Sequence, residues 1–149
     1  MTERATERGV TLLELLIVLS IMAIVAAMVV PMFGGGVSTG ELKGAARQVA
    51  AGLRLARSEA LATRRETGVV LDLEHRTFQV ARDGHEHALP RAIELKLFTA
   101  QSDLVSDAVG AIRFFPDGGS NGGRVTLGVG ERKYDIDVDW LTGRVAILD

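Results

Sequence analysis

Apolar residues run almost without interruption from Leu15 to Phe33, where Ser20 and Pro31 are the only breaks in 19 positions. As a helix rising about 1.5 Å per residue, this run is long enough to cross a hydrocarbon core of roughly 30 Å, and it predicts one membrane helix. From Glu41 to Glu66 the period changes: Leu42, Ala46, Val49, Leu53, Ala56 and Ala60 recur at steps of four and three, the mark of an amphipathic helix with one stripe facing a core. Between the two helices the glycines from Gly34 to Gly40, following Pro31, predict a hinge over residues 34–40, with a continuous rod through both helices as the other option.

Beyond Gly68 the period becomes two. Val69, Leu71 and Leu73 oppose Asp72 and Glu74, and after Glu-His-Arg the pattern resumes at Phe78 and Val80, which predicts a hairpin. Asp83-Gly84 marks a turn, Ala92 to Phe98 a strand, and Ala100 to Gly110 a polar connection without periodicity. A strand over Ala111 to Phe115 and another carrying Val125, Leu127 and Val129 flank the glycine-rich stretch Pro116 to Gly123, which predicts a hairpin with a broad tip. Tyr134, Ile136, Val138 and Trp140 alternate with Asp135, Asp137 and Asp139, placing the apolar set on a packed face, and Leu-Thr-Gly143 then turns into Val145 and Ile147. Helix followed by antiparallel hairpins defines an α+β domain over residues 41–149, with the helix covering one face of the sheet.

Composition narrows the function. The 149 residues contain no cysteine, which removes disulfide frameworks and thiolate metal sites. Lys and Arg number 17 against 19 Asp and Glu, a net charge of −2 that argues against nucleic acid as the main partner. That total conceals an asymmetry: residues 41–66 carry six basic and three acidic side chains, +3, while residues 67–149 carry nine and 13, −4. The basic helix is either a solvated face or a contact for acidic neighbours or lipid headgroups. Arg4 and Arg8 before the apolar run balance Lys43 and Arg47 after it, so flanking charge does not orient the segment. A cleaved secretory signal ending near Val25-Ala-Ala27 is the rival reading, and the apolar residues continuing to Val30 oppose it.

Catalytic and metal constellations are weak. His85 and His87 flank Glu86 at a spacing that puts both imidazoles on one side of a strand, but a third ligand is missing. Asp135, Asp137 and Asp139 could offer oxygen ligands to a hard cation, yet alternate strand positions diverge. The Asp117 to Gly123 loop lacks the Gly-Lys-Ser/Thr ending of a phosphate loop, and no Ser, His and Asp set announces a nucleophile. No enzyme, cofactor or metal is expected. Glu14 stands apart, flanked by Leu12, Leu13, Leu15 and Leu16 and the only acid between Glu7 and Glu41. A carboxylate in an apolar membrane run costs on the order of 2.5–3.5 kcal/mol at the centre and less near the edge, so it asks for a positive partner.

The residues Arg8-Gly9-Val10-Thr11-Leu12-Leu13-Glu14-Leu15-Leu16 resemble the processing site of type IV pilins and type II secretion pseudopilins. The resemblance implies a leader over residues 1–9, cleavage by a prepilin peptidase between Gly9 and Val10, methylation of the new terminus at Val10, and a role for Glu14 in pairing with the terminal amine of a neighbouring subunit. The family usually has Phe where this chain has Val10. Burying an amine and a carboxylate together offsets the desolvation of each and fixes the register between helices. Ala45-Ala-Arg47, Arg57-Ser-Glu-Ala60, Phe114-Phe-Pro-Asp-Gly118, Gly122-Gly123 and Asp139-Trp-Leu-Thr-Gly143 are similar to the minor pseudopilin H group, the general secretion pathway protein H.

That resemblance implies a type IV pilin-like fold with residues 10–33 as a transmembrane and assembly helix, single-pass in the inner membrane of a Gram-negative bacterium. The leader is then cytoplasmic and the domain periplasmic. The implied function is a minor pseudopilin at or near the pseudopilus tip, helping folded proteins across the outer membrane. Implied partners are the prepilin peptidase, other major and minor pseudopilins and the inner-membrane secretion platform. A minor pilin of the DNA-uptake group of type IV pili is the alternative, and the −4 balance beyond Thr67 weighs against it.

Overall fold

The computed structural model describes residues 11–33, 37–99, 106 and 108–148, with side chains in the first helix described as far as Ala26. The chain divides after Gly35 into two compact units. The first holds helix α1, Leu12–Phe33. Thr11 closes its start: the Thr11 hydroxyl accepts from Glu14 N–H at 3.2 Å and the Thr11 carbonyl from Leu15 N–H at 3.2 Å, which satisfies a donor that the first helical turn otherwise leaves open.

The second unit begins with helix α2, Thr39–Thr63. Its start is fixed by a capping box in which Ser38 Oγ accepts from Glu41 N–H at 3.2 Å and the Glu41 carboxylate accepts from Ser38 N–H at 2.7 Å. Those hydrogen bonds also hold the Glu41 carboxyl below its ordinary pKa. Ser38 itself is extended, with φ −65° and ψ 159°, so α2 does not run back through it as helix. Thr39 and Gly40, the end of the expected hinge, are therefore the first residues of α2, while residues 34–36 lie outside the described residues. At the other end Arg64 takes a left-handed conformation with φ 52°, stopping the helix three residues before Glu66.

Eight strands follow: β1 Thr67–Asp72, β2 Thr77–Val80, β3 Glu86–Ala88, β4 Glu94–Phe98, β5 Val109–Phe114, β6 Gly123–Val129, β7 Arg132–Val138 and β8 Val145–Leu148. They form two four-stranded antiparallel sheets, of order β3-β2-β1-β5 and β4-β6-β7-β8. Helix α2 packs on both. All six residues of the expected stripe are buried, together with Ala45, Ala50 and Gly52, against Val69, Leu71, Phe78 and Phe114 on one sheet and Val125, Leu127 and Ile136 on the other. The helix face is mostly alanine because the backbone comes close: a Cβ at Gly52 would sit 3.0 Å from the Phe78 ring.

The α+β reading and the β1–β2 hairpin hold, with Val69 paired to Val80 and Leu71 to Phe78. Three expectations change. One sheet becomes two, and the helix lies against both. The hairpin across Pro116 to Gly123 does not form, since β5 pairs with β1 while β6 pairs with β4 and β7, and only a bridge between Phe114 and Ser120 links the two sides. The stretch instead carries the chain from one sheet to the other, turning at Gly118, Gly122 and Gly123, whose φ values of 91°, 73° and 147° suit glycine alone. Trp140 does not pack. The Asp139 carboxylate accepts from Thr142 N–H at 2.8 Å and Thr142 Oγ at 2.7 Å, which turns the chain one residue after β7 ends and leaves Trp140 67% exposed.

Ser38→Ala removes one arm of the capping box, and it should lower the stability of the segment from Gly36 onward by about 1 kcal/mol in urea unfolding. An unchanged midpoint and slope would show that the cap does not hold the start of α2.

Candidate functional site

The residue singled out by charge, Glu14, lies in the first turn of α1, where its backbone N–H is held by Thr11. No described residue pairs with its carboxylate: the ion pairs among the described residues involve other acids. Leu12, Leu13, Leu15 and Leu16 around it are between 53% and 80% exposed. Gly9 and Val10 lie outside the described residues. Among the described residues no helix is long and apolar enough to cross a membrane; described side chains in α1 stop at Ala26, seven positions before the apolar run ends.

In the second unit, pieces far apart in sequence meet. Arg57, on α2, aims its Nε at two carbonyls, Thr142 O at 3.1 Å and Gly118 O at 3.4 Å. It thereby ties the helix to the β5–β6 crossing and to the β7–β8 turn. The two loops also touch directly, because Ser120 N–H donates to the Trp140 carbonyl at 2.8 Å. Gly143 permits the approach, with φ 62° and no room for a side chain, since a Cβ there would run into the Gly118 carbonyl oxygen. Around this junction Asp117 Oδ1 accepts from Gly119 N–H at 2.9 Å, and Ser120 Oγ donates to Arg113 O at 2.7 Å. Asn121 accepts from Arg113 N–H at 2.8 Å and donates to Ala111 O at 3.2 Å. Nearly every polar group of the loop is thus engaged within the fold, which accounts for Asp117 to Gly123 as a structural crossing.

Of the remaining sequence candidates, both histidines lie beside Asp83: His85 Nδ1 is 2.7 Å from the Asp83 carbonyl and 3.6 Å from its carboxylate, and His87 Nε2 is 3.4 Å from the same carboxylate while its ring stacks on Phe78 with ring centres 5.0 Å apart. Among the described residues no group of three metal-ligating side chains converges. The aspartates of β7 and the one just after it each have their own partner: Asp135 accepts from Thr126 Oγ at 2.6 Å, Asp137 from Arg124 Nε at 3.1 Å, and Asp139 from Thr142. The Thr142 hydroxyl and backbone donors hold the Asp139 carboxyl below its ordinary pKa. The ladder is a row of separate surface contacts.

The junction sets a test. Arg57→Ala deletes both carbonyl contacts and should cost about 1–2 kcal/mol of stability by urea unfolding, because the contact to the Gly118 carbonyl is partly buried while that to Thr142 is exposed. Gly143→Ala should cost at least as much, and an Arg57→Ala midpoint equal to the unsubstituted protein would mean that the loops hold together without the guanidinium.

Comparison with known proteins agrees with this geometry. Residues 45–142 match the family described as Type II transport protein GspH, and residues 4–30 match the Prokaryotic N-terminal methylation motif. Type II secretion system protein H of Xanthomonas campestris pv. campestris is 35% identical over 138 residues, which cover 93% of this chain and 81% of that protein. Among solved structures, the minor pseudopilin EpsH from the type 2 secretion system of Vibrio cholerae is similar with a TM-score of 0.58 at 13% identity, over 72% of this chain and 96% of that one. The type IV minor pilin FimU of Pseudomonas aeruginosa is similar with a TM-score of 0.56 at 19% identity, over 74% and 90%. Both likenesses show the pilin-like fold. The full-length relative and the match over residues 45–142, which take in Arg57, Gly118 and Thr142, place the chain in the GspH family, as a minor pseudopilin of type II secretion.

Proposed function

We propose that this pseudopilin is made with residues 1–9 as a cytoplasmic leader, which a prepilin peptidase removes between Gly9 and Val10 before the Val10 amine is methylated. Residues 10–33 then form the transmembrane and assembly helix in the inner membrane, residues 34–38 the link that follows it, and residues 39–149, from the start of α2, a periplasmic domain. The subunit joins other pseudopilins near the tip of the pseudopilus, above the inner-membrane secretion platform, and works by contact rather than by catalysis. The observation that carries this reading is the methylation motif over residues 4–30, inside which Glu14 is the only acid of the apolar run.

Physical chemistry supports each part. A helix of 22 residues at about 1.5 Å per residue spans roughly 33 Å, enough for a hydrocarbon core of about 30 Å. Glu14 lies in its first turn, near the membrane edge, where a carboxylate also favours the positive end of the helix dipole. Cleavage after Gly9 creates an amine four residues before Glu14, and the resemblance to pilins implies that the amine of one subunit meets the Glu14 carboxylate of another. That pairing leaves neither charge alone in lipid and fixes the axial register of the two helices.

In cells that carry the rest of the secretion system, Glu14→Ala should insert and lose its leader normally while secretion falls by about tenfold or more, the size expected when a desolvated charge pair loses one member. Secretion at the unsubstituted level by a fully matured Glu14→Ala chain would remove Glu14 from assembly.

A further inference from the structure

On α2, at 100° per residue, Lys43, Arg47, Arg54 and Arg57 fall within about 80° of one another, while Glu41 and Glu59 lie on the opposite side. The basic excess of residues 41–66 is therefore a stripe, and it runs along the flank where α2 meets β8, the outer strand of its sheet. At Arg54 and Arg57 the stripe opens into a cleft of about 600 Å³, whose far wall is the turn from Asp139 to Arg144. Arg54 Nη2 donates to the Val145 carbonyl at 3.2 Å, and Arg57 is held through Nε, so each guanidinium is positioned with further donors left over. Arg144 completes the set from the opposite wall.

None of the three arginines has a carboxylate within ion-pair distance among the described residues. The one acid in the cleft, Asp139, is engaged by Thr142 N–H and Oγ. Three guanidiniums against one occupied carboxylate leave an excess of two positive charges in a concave site. Exposed apolar residues lie near it in the fold: Leu61, one turn beyond Arg57 and beside the same Gly118, is 43% exposed, and Trp140 and Leu141, next to Asp139 in the chain, are each 67% exposed. Exposed arginine and tryptophan close together are side chains enriched at the centres of protein interfaces, and a planar guanidinium held by its backbone contacts presents paired donors that match a carboxylate.

We propose that this cleft receives a carboxylate side chain from a neighbouring pilin-like subunit, clamped by Arg54, Arg57 and Arg144, with Leu61, Trp140 and Leu141 packing on apolar residues beside it. The proposal rests on the pseudopilin reading above and adds where the domain is gripped.

The test uses the full chain in cells with the other secretion subunits. Arg54→Lys and Arg144→Lys each place a single amine in the cleft, and a water-soluble carbodiimide joins an amine only to a carboxylate in contact with it, with loss of water. An amide from either new amine to an Asp or Glu of another pilin-like subunit, reduced about tenfold or more when the other arginine is changed to Glu, is the result expected. Arg144→Glu serves for this second change because the Arg144 side chain makes no hydrogen bond among the described residues. Links confined to Asp139, or no link at all, would overturn the proposal, and a secretion defect in Arg144→Glu without any protein link would assign the arginines to lipid phosphate instead. If the chain matures and supports secretion while no link forms, only this proposal fails; if it is never matured or needed for secretion, the pseudopilin reading fails with it.

Discussion

The second unit depends on one constraint: a helix of 25 residues must bury a face made largely of alanine and glycine against two sheets at once. Small side chains contribute little area individually, so the stabilisation comes from how closely the helix backbone can approach. Gly52 against the Phe78 ring shows the limit of that approach, and Leu42 and Leu53 fill what remains, both fully buried. The strands supply the bulk that the helix lacks, with Phe78, Phe114, Ile112 and Ile136 inside. A helix seated this way has two flanks, one beside each sheet, and the chemistry of the flanks is free to vary.

Use of those flanks explains the distribution of charge. Arg57 stands where the helix, the sheet-to-sheet crossing and the β7–β8 turn meet, and its contacts are to backbone carbonyls, which any sequence would present. Recognition of carbonyls by a planar guanidinium asks for position rather than for a particular partner side chain. Arg54 repeats the arrangement one turn earlier at the Val145 carbonyl, covering part of an open sheet edge that would otherwise invite strand addition. Structural and interfacial roles are thus combined in neighbouring arginines, and the same geometry that holds the loops leaves donors facing outwards.

The α2 stripe and the alternation in β1, β2 and β7 were legible because periodicity reports burial directly. Hydrophobic period alone passed over both helix starts: Thr11 and Ser38 each accept from an N–H three residues on, but the glycines beside Ser38 pointed to a hinge instead. Strand pairing was not legible at the 115–122 crossing, since neighbouring strands along a chain usually pair and nothing local says that β5 turns to β1 instead. Trp140 misled for a related reason: it continued the alternation of β7 while Asp139 had already capped the turn. Of the site, Glu14 stood out as one charge in an apolar run, whereas the Arg54, Arg57 and Arg144 cleft needed the fold to bring residues 90 positions apart together.

Among the described residues Glu14 has no ion-pair partner, and the proposed removal of the leader would supply one in the new terminal amine. Mass spectrometry of the amino-terminal peptide from membranes of cells producing the prepilin peptidase reads this directly. The account predicts a mature chain that begins at N-methylated Val10; a chain beginning at Met1, or cut near Ala27 as a secretory signal would be, contradicts it.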